Sequence, residues 1–233
     1  TFLPMEGDSP TILKRRFVEM YPFQKLFELY VMDNGESKPK ETEALCDKLQ
    51  KVIHDYDVIL VTDYGHGMIG PEVVEYLCSE APFLAVNTQV NAGNLGFNTV
   101  TKYGKADFLC VSENEIRLDV RSRRRDLRDI VEEVSHKLSC DRIIITKGAN
   151  GCLCYGRNEG FINVPAMATQ VVDRIGAGDA VFALSTLCAA TEAPMEVVGF
   201  AGSLAGAQAV ATVGHRISME RIPLLRHMET LLK

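Results

Sequence analysis

The chain lacks any apolar run long enough to span a bilayer, and its first residues do not read as an export signal, so a cytoplasmic protein is expected. It also lacks an excess of positive charge. With 25 Lys and Arg against 31 Asp and Glu, the net charge of −6 argues against a nucleic-acid binder, which needs cations to neutralise phosphates. A paired cysteine pattern is missing too: the seven cysteines (46, 78, 110, 140, 152, 154 and 188) are odd in number, scattered and mostly set in apolar segments. Buried free thiols in a reducing compartment fit them better than a disulfide framework. Cys152 and Cys154 share one face of a strand, but with no second Cys or His pair nearby a zinc site is not expected. There is no internal repeat and no low-complexity linker. What is present is 233 residues, 46% apolar and 24% charged, enough for one α/β domain (1–233) with a substantial core.

Apolar periodicity orders the elements. Thr11–Val18 and Lys25–Met32 read as extended segments around Tyr21-Pro22, and residues 40–55 have helical spacing through Ala44, Leu45, Leu49, Val52 and Ile53. Short buried strands follow at Val58–Val61, Phe83–Val86, Phe108–Val111 and Ile143–Ile145. They are separated by a helix opening at Pro71, a polar stretch from Asn87 to Asn98, and an amphipathic helix over Leu127–Leu138. A hairpin spans Gly151–Val164, a helix follows at Ala180–Ala190, and Ala193–Thr212 reads as a pair of close-packed helices. Strands alternating with helices imply a mostly parallel sheet covered on both faces, with ligands bound beyond the strand C-termini.

The segment Val171-Val172-Asp173-Arg174-Ile175-Gly176-Ala177-Gly178-Asp179-Ala180 places two acids around a turn of small residues just before an apolar helix. Small residues permit a tight turn and close approach to a ligand, and a helix N-terminus presents free N–H groups to an anion. Asp179 could take a proton from a hydroxyl there, a constellation that suits phosphoryl transfer; an ordinary Gly-rich strand-to-helix turn would read alike. The run resembles the signature Asp-Thr-x-Gly-Ala-Gly-Asp of the ribokinase-like (PfkB) carbohydrate kinases, with Arg174 in place of Thr. The resemblance implies Asp179 as catalytic base in contact with substrate, Gly176, Ala177 and Gly178 as an anion hole, and Asp173 beside a monovalent-cation (K+) site.

Other segments extend the likeness. Thr146-Lys147-Gly148-Ala149-Asn150-Gly151 is similar to the family's nucleotide loop, implying ATP contacts at Thr146, Lys147, Gly148 and Gly151, although the glycines also suit a plain turn. Ser112-Glu113-Asn114-Glu115 partly matches an Asn-x-x-Glu pattern near Mg-phosphate, implying Glu115 at Mg2+ and Ser112 near ATP. The same spacing is that of a helix capping box. Asp63-Tyr64-Gly65-His66-Gly67 resembles a substrate loop of heptose 7-phosphate kinases, with Asp63 at the sugar; a bare strand-to-helix turn is the other reading. Lys14-Arg15-Arg16 lies on a lid-like strand within 10–33, with Lys14 toward substrate, or equally on a guarded sheet edge. Gly202–Gly214 matches the helical region over adenine, with Gly202 an ATP contact, though small-residue helix packing explains it as well. The Arg121–Arg128 run reads as a solvated helix entrance, and His54, His136, His215 and His227 have no ligand spacing.

Together these imply a ribokinase-like fold with a small β lid, using ATP, Mg2+ and K+ on a heptose 7-phosphate-like sugar. The branch nearest in pattern includes kinase parts of bifunctional kinase–nucleotidyltransferases, so a nucleotidyltransferase domain elsewhere in a longer protein and a homodimer through the lid are expected, with neither nucleic-acid nor membrane partners. The chain opens on Thr1 and nothing in it corresponds to the family's N-terminal strands, so it is expected to be the C-terminal portion of a kinase. A non-catalytic nucleotide-binding or assembly module, and a related kinase for another small alcohol, are the competing readings.

Overall fold

The computed structural model describes residues 11–21, 23–32, 38–91, 93–214 and 218–233. β1 (Leu13–Met20) and β2 (Phe23–Val31) form an antiparallel sheet of their own. Compared with the expected Thr11–Val18 and Lys25–Met32, the pairing runs closer to the turn, because the register closes Met20 on Phe23. Residues 10, 22 and 33 of the expected lid span, and His215, lie outside the described residues. A bulge at Phe17/Val18 accompanies a stack of Phe17 on Phe27, with ring centroids 4.4 Å apart. On the same ribbon Glu28 accepts from Arg16, from Lys25 at 2.9 Å and from Tyr30 Oη at 2.9 Å. Desolvation opposes its ionisation, but these three donors win and hold the carboxyl down to about 2.

After α1 (Pro39–Val52) come β3 (Ile59–Asp63), α2 (Pro71–Glu80), β4 (Leu84–Thr88), β5 (Phe108–Ser112), α3 (Glu113–Asp119), α4 (Leu127–Lys137) and β6 (Arg142–Thr146). The chain continues through β7 (Cys152–Gly156), β8 (Gly160–Val164), α5 (Ala177–Ala190), α6 (Met195–Val210) and α7 (Arg221–Leu231). The second sheet has the order β3-β4-β5-β6-β7-β8, parallel from β3 to β6 and antiparallel beyond. Prolines at the start of α1 and α2 cost nothing there, since their missing N–H would have no helical partner.

Burial on both faces explains the continuous apolar strands. Val86, Leu109, Val111, Ile143 and Ile145 pack with Val74, Leu77, Ile116, Val131 and Val134 from α2, α3 and α4. The alternate residues Ala85, Phe108, Cys110, Ile144 and Cys154 meet Phe182, Ala189 and Val198 from α5 and α6. All seven cysteines are free, and Cys152 and Cys154 lie on one face with sulfurs 3.8 Å apart.

One reading changes. Ala193–Thr212 is one helix, α6, not a pair: the close packing is between α6 and α5, and no breaker interrupts the run. A Cβ on Gly202 would stand 3.2 Å from Val181 Cγ1 and 3.3 Å from Ser185 Cβ, so the small residues let two helices approach. The arginine run is the exposed entrance to α4, capped by Asp126 accepting from Arg128 N at 2.8 Å. At the other end of α5, the Arg142 guanidinium donates to Ala189 O at 2.7 Å and Ala193 O at 2.6 Å. A cation there opposes the negative end of the helix dipole.

Candidate active site

The turn into α5 is made possible by Gly176, which caps the helix at φ 77° in the left-handed region. Ala180 N donates to Gly176 O at 3.0 Å and closes the first turn, leaving the N–H groups of Gly178 and Asp179 without intrahelical acceptors. Behind this turn Asp173 is only 5% exposed. It accepts from Ile175 N and Gly214 N, each at 3.0 Å, while its own N–H donates to Val210 O at 3.1 Å. Asp173 thus ties the turn before α5 to the C-terminal end of α6.

Asp179 stands on the first turn of α5, at the N-terminal end of the helix dipole. With Gly176 and Gly178 it lines a pocket of about 210 Å³ shared with Ser112, Glu115 and Thr146. The pocket lies over the C-terminal ends of β4, β5 and β6, where a parallel sheet receives its ligands. Ser112 and Glu115 form a full capping box on α3: Glu115 N donates to Ser112 Oγ at 3.3 Å and Ser112 N to Glu115 Oε2 at 2.7 Å. Glu115 Oε1 accepts from Val90 N at 3.3 Å, so this carboxylate both caps a helix and faces the pocket.

The remaining expected residues divide. Thr146 reaches the pocket, whereas Lys147, Gly148 and Gly151 do not line it. Lys147 Nζ donates to Asn163 Oδ1 at 3.2 Å, and Gly148 is exposed at φ 57°. Gly151 is buried at φ 75°, where a Cβ would fall 2.0 Å from Val164 O, so the turn demands it. Gly202 does not reach the site either; it is spent on the α5–α6 contact. Asp63, expected at the sugar, is turned inward at 3% exposure: it accepts from Gly65 N at 2.9 Å and Tyr103 Oη at 2.8 Å and pairs with Lys102. Burial first, then the Asp63 charge and hydrogen bond, push the Tyr103 phenol up, so it stays a donor.

The two-stranded sheet reaches the Asp63 turn through Lys14. Lys14 Nζ lies 4.6 Å from the Tyr64 ring centroid and 5.3 Å from that of Tyr30. Burial, then Arg16, lowers its pKa, while Glu28 and Asp179 pull it back up, which puts Lys14 in the field of the pocket acid. His66 stacks on Tyr64 with centroids 6.2 Å apart, and its Nε2 is buried without a partner. A larger groove of about 1490 Å³ runs past His66, Val74, Asn94 and Lys102, but the carboxylates lining it, Glu43, Glu72 and Glu75, are exposed.

Two pocket residues carry no expected role in the sequence. Gln89 donates from Nε2 to Asp179 Oδ1 at 2.7 Å. Asn87, 6% exposed, donates to Cys110 O at 2.7 Å and leaves its buried Oδ1 unpaired. Asn87 lies near the C-terminal end of β4 and Gln89 directly follows that strand, the place the parallel-sheet rule singles out, and that rule would have found them in the polar stretch Asn87–Asn98.

An acid on a helix N-terminus and a second acid line one pocket at the strand ends of a parallel α/β sheet, where such folds hold their ligands. Residues 90–222 match the pfkB family carbohydrate kinase, and the chain belongs to that family. It is 28% identical over 219 residues to the bifunctional protein HldE of Koribacter versatilis, covering 91% of this chain and 43% of that protein. The HldE of Shewanella amazonensis is 29% identical over 203 residues, covering 85% and 40%. The chain therefore spans less than half the length of these relatives. Among solved structures, ribokinase from Thermotoga maritima superposes with a TM-score of 0.73 at 18% identity, covering 96% of this chain and 71% of that one. Phosphofructokinase-2 from Escherichia coli in complex with potassium gives 0.72 at 16% identity, covering 89% and 67%. The ribokinase-like fold holds, with the two-stranded sheet at its N-terminal side.

Proposed function

We propose that this chain is the nucleotide-side part of a kinase that transfers the γ-phosphoryl of ATP to a hydroxyl of a heptose 7-phosphate-like sugar. The observation that carries it is Asp179, held at the N-terminus of α5 in the pocket that Glu115, Ser112 and Thr146 line. Asp179 takes the hydroxyl proton as that oxygen bonds to the γ-phosphorus, and the bond to the β-phosphate bridging oxygen breaks to release ADP. The first-turn N–H groups after Gly176 take up charge on the transferring group. The donor set fits Mg2+, a hard cation that keeps several waters: Glu115, whose oxygens already accept main-chain N–H groups, and the unpaired Asn87 Oδ1 would hold it through those waters. When bound, it supplies charge neutralisation on the phosphates. Asp173, bracing the turn, is the residue for K+, and Lys14 reaches toward the sugar phosphate from the hairpin. Thr146 meets the nucleotide.

The exposed Phe17, Leu26, Phe27 and Leu29 of the hairpin suit a homodimer, and a nucleotidyltransferase domain completes the longer cytoplasmic protein. ADP release with Mg-ATP, with and without heptose 7-phosphate, tests the reading beside Asp179→Asn. Sugar-dependent release lost in the variant supports it; identical release from both overturns it. A non-catalytic nucleotide-binding module is favoured by one observation, that the Glu115 oxygens are already engaged by N–H groups. Such a module binds Mg-ATP without sugar-dependent turnover, and a panel of alcohol acceptors separates other kinases of the family.

A further inference from the structure

We propose that the dipeptide Gln89-Val90 is a strut that sets the placement of both pocket acids, with Gln89 as the positioning residue for Asp179. The proposal rests on the reading of Asp179 as the base. Two adjacent residues reach two carboxylates on different helices: the Gln89 side chain donates to Asp179 Oδ1 at 2.7 Å, and the Val90 N–H donates to Glu115 Oε1 at 3.3 Å. No other hydrogen-bonded unit among the described residues links α3 to the first turn of α5 across the pocket.

The strut is anchored on its far side by amides. Gln89 N donates to Asp63 O at 2.8 Å, while Gln89 O accepts from Asn98 Nδ2 at 3.1 Å and, more weakly, from Asn94 Nδ2 at 3.4 Å. Asn98 Nδ2 also reaches Asp63 O at 2.8 Å, and Asn91 and Asn94 donate to Tyr64 O at 2.9 and 2.8 Å. Lys102 Nζ holds Asn98 Oδ1 at 2.8 Å. Gly65 makes room: a Cβ there would stand 2.1 Å from Asn94 Nδ2. The asparagine-rich stretch is thus a lattice that fixes Gln89 from its backbone.

The physical consequence lies in orientation. An aspartate on the first turn of a helix can rotate about its side-chain bonds, and a charge-assisted bond to Oδ1 selects one orientation and leaves Oδ2 to face a hydroxyl. Gln89 and Asp179 are both partly exposed, so losing the bond leaves each to water and spares the fold. What is lost is alignment, which is worth up to about a hundredfold for small misplacements.

The test uses Gln89→Met, close in shape but without a donor, and Gln89→Lys, which restores an N–H donor at similar reach. Sugar-dependent ADP release is expected to show kcat about 10- to 100-fold lower for Gln89→Met, with KM for ATP within about threefold and thermal midpoint unchanged, and substantial recovery in Gln89→Lys. Equal kcat in wild type and Gln89→Met overturns the strut, as does a loss that Gln89→Lys fails to recover. A second readout needs no turnover: the side-chain amide signal of Gln89 in 15N-labelled protein should move markedly on Asp179→Asn. An unmoved signal overturns the strut even in an inactive protein, whereas a moved signal with no sugar-dependent turnover supports the strut and sinks only the kinase reading.

Discussion

The turns that carry Asp63 and Asp179 are made of the same materials, an acid beside glycines between apolar elements, yet they come to opposite ends. Asp63 is drawn into the protein and its oxygens are shared among Gly65 N, Tyr103 Oη and Lys102. Asp179 is raised on the first turn of a helix, in a pocket, with Gln89 on one oxygen. The first acid is enclosed by protein partners and the second lines an open pocket. The type of residue and the glycines beside it do not decide between these ends; the partners that converge on the carboxylate do.

Substitution should separate the two acids. Asp179→Asn is expected to lower sugar-dependent kcat about a thousandfold, as loss of a general base does, with the urea midpoint unmoved. Asp63→Ala should do the reverse and destabilise by about 3 kcal/mol, at the low end for a broken buried pair because Lys102 is partly exposed, as read by urea unfolding. Gly176→Ala sharpens the contrast: an L-residue at φ 77° should cost about 1–2 kcal/mol of stability and weaken ATP binding measured by calorimetry. Smallest is the effect of His66, which sits in the Asp63 turn and stacks on Tyr64. Burial, then Lys14, pushes its imidazole below the usual value, with Asp63 opposing. The unfolded chain therefore binds more protons, and stability should fall as pH drops below about 6.5. His66→Gln should flatten that part of the pH–stability curve.

The parallel sheet was legible because burial on both faces leaves continuous apolar runs such as Ile143–Ile145 and Phe108–Val111, which hardly any other environment tolerates. The first turn of α5 was legible from its small residues and acids. Local pattern fell short where the answer lay in distant partners. Nothing near Asp63 announces Tyr103, forty positions on, and nothing near Gly202 announces that Val181 will press against it. Gln89 was hidden in a stretch whose asparagines look like loop filler, although they serve as donors to the carbonyls of Asp63 and Tyr64. The single helix α6 was read as two because its alanines and glycines blur the periodicity that marks a helix face.

The guanidinium of Arg142 has a mechanical meaning. α5 has 14 residues, about 21 Å of stiff rod at a rise of about 1.5 Å per residue. One end carries the glycine turn and Asp179, and the other is bolted to the sheet by Arg142 through Ala189 O and Ala193 O. An axial slip at the bolt is an axial slip of the turn, because a helix transmits displacement along its axis rather than absorbing it. Arg142 is thus a remote handle on the placement of the Asp179 turn, and its carbonyl partners mark where a force applied at the far end of α5 would be felt at Asp179.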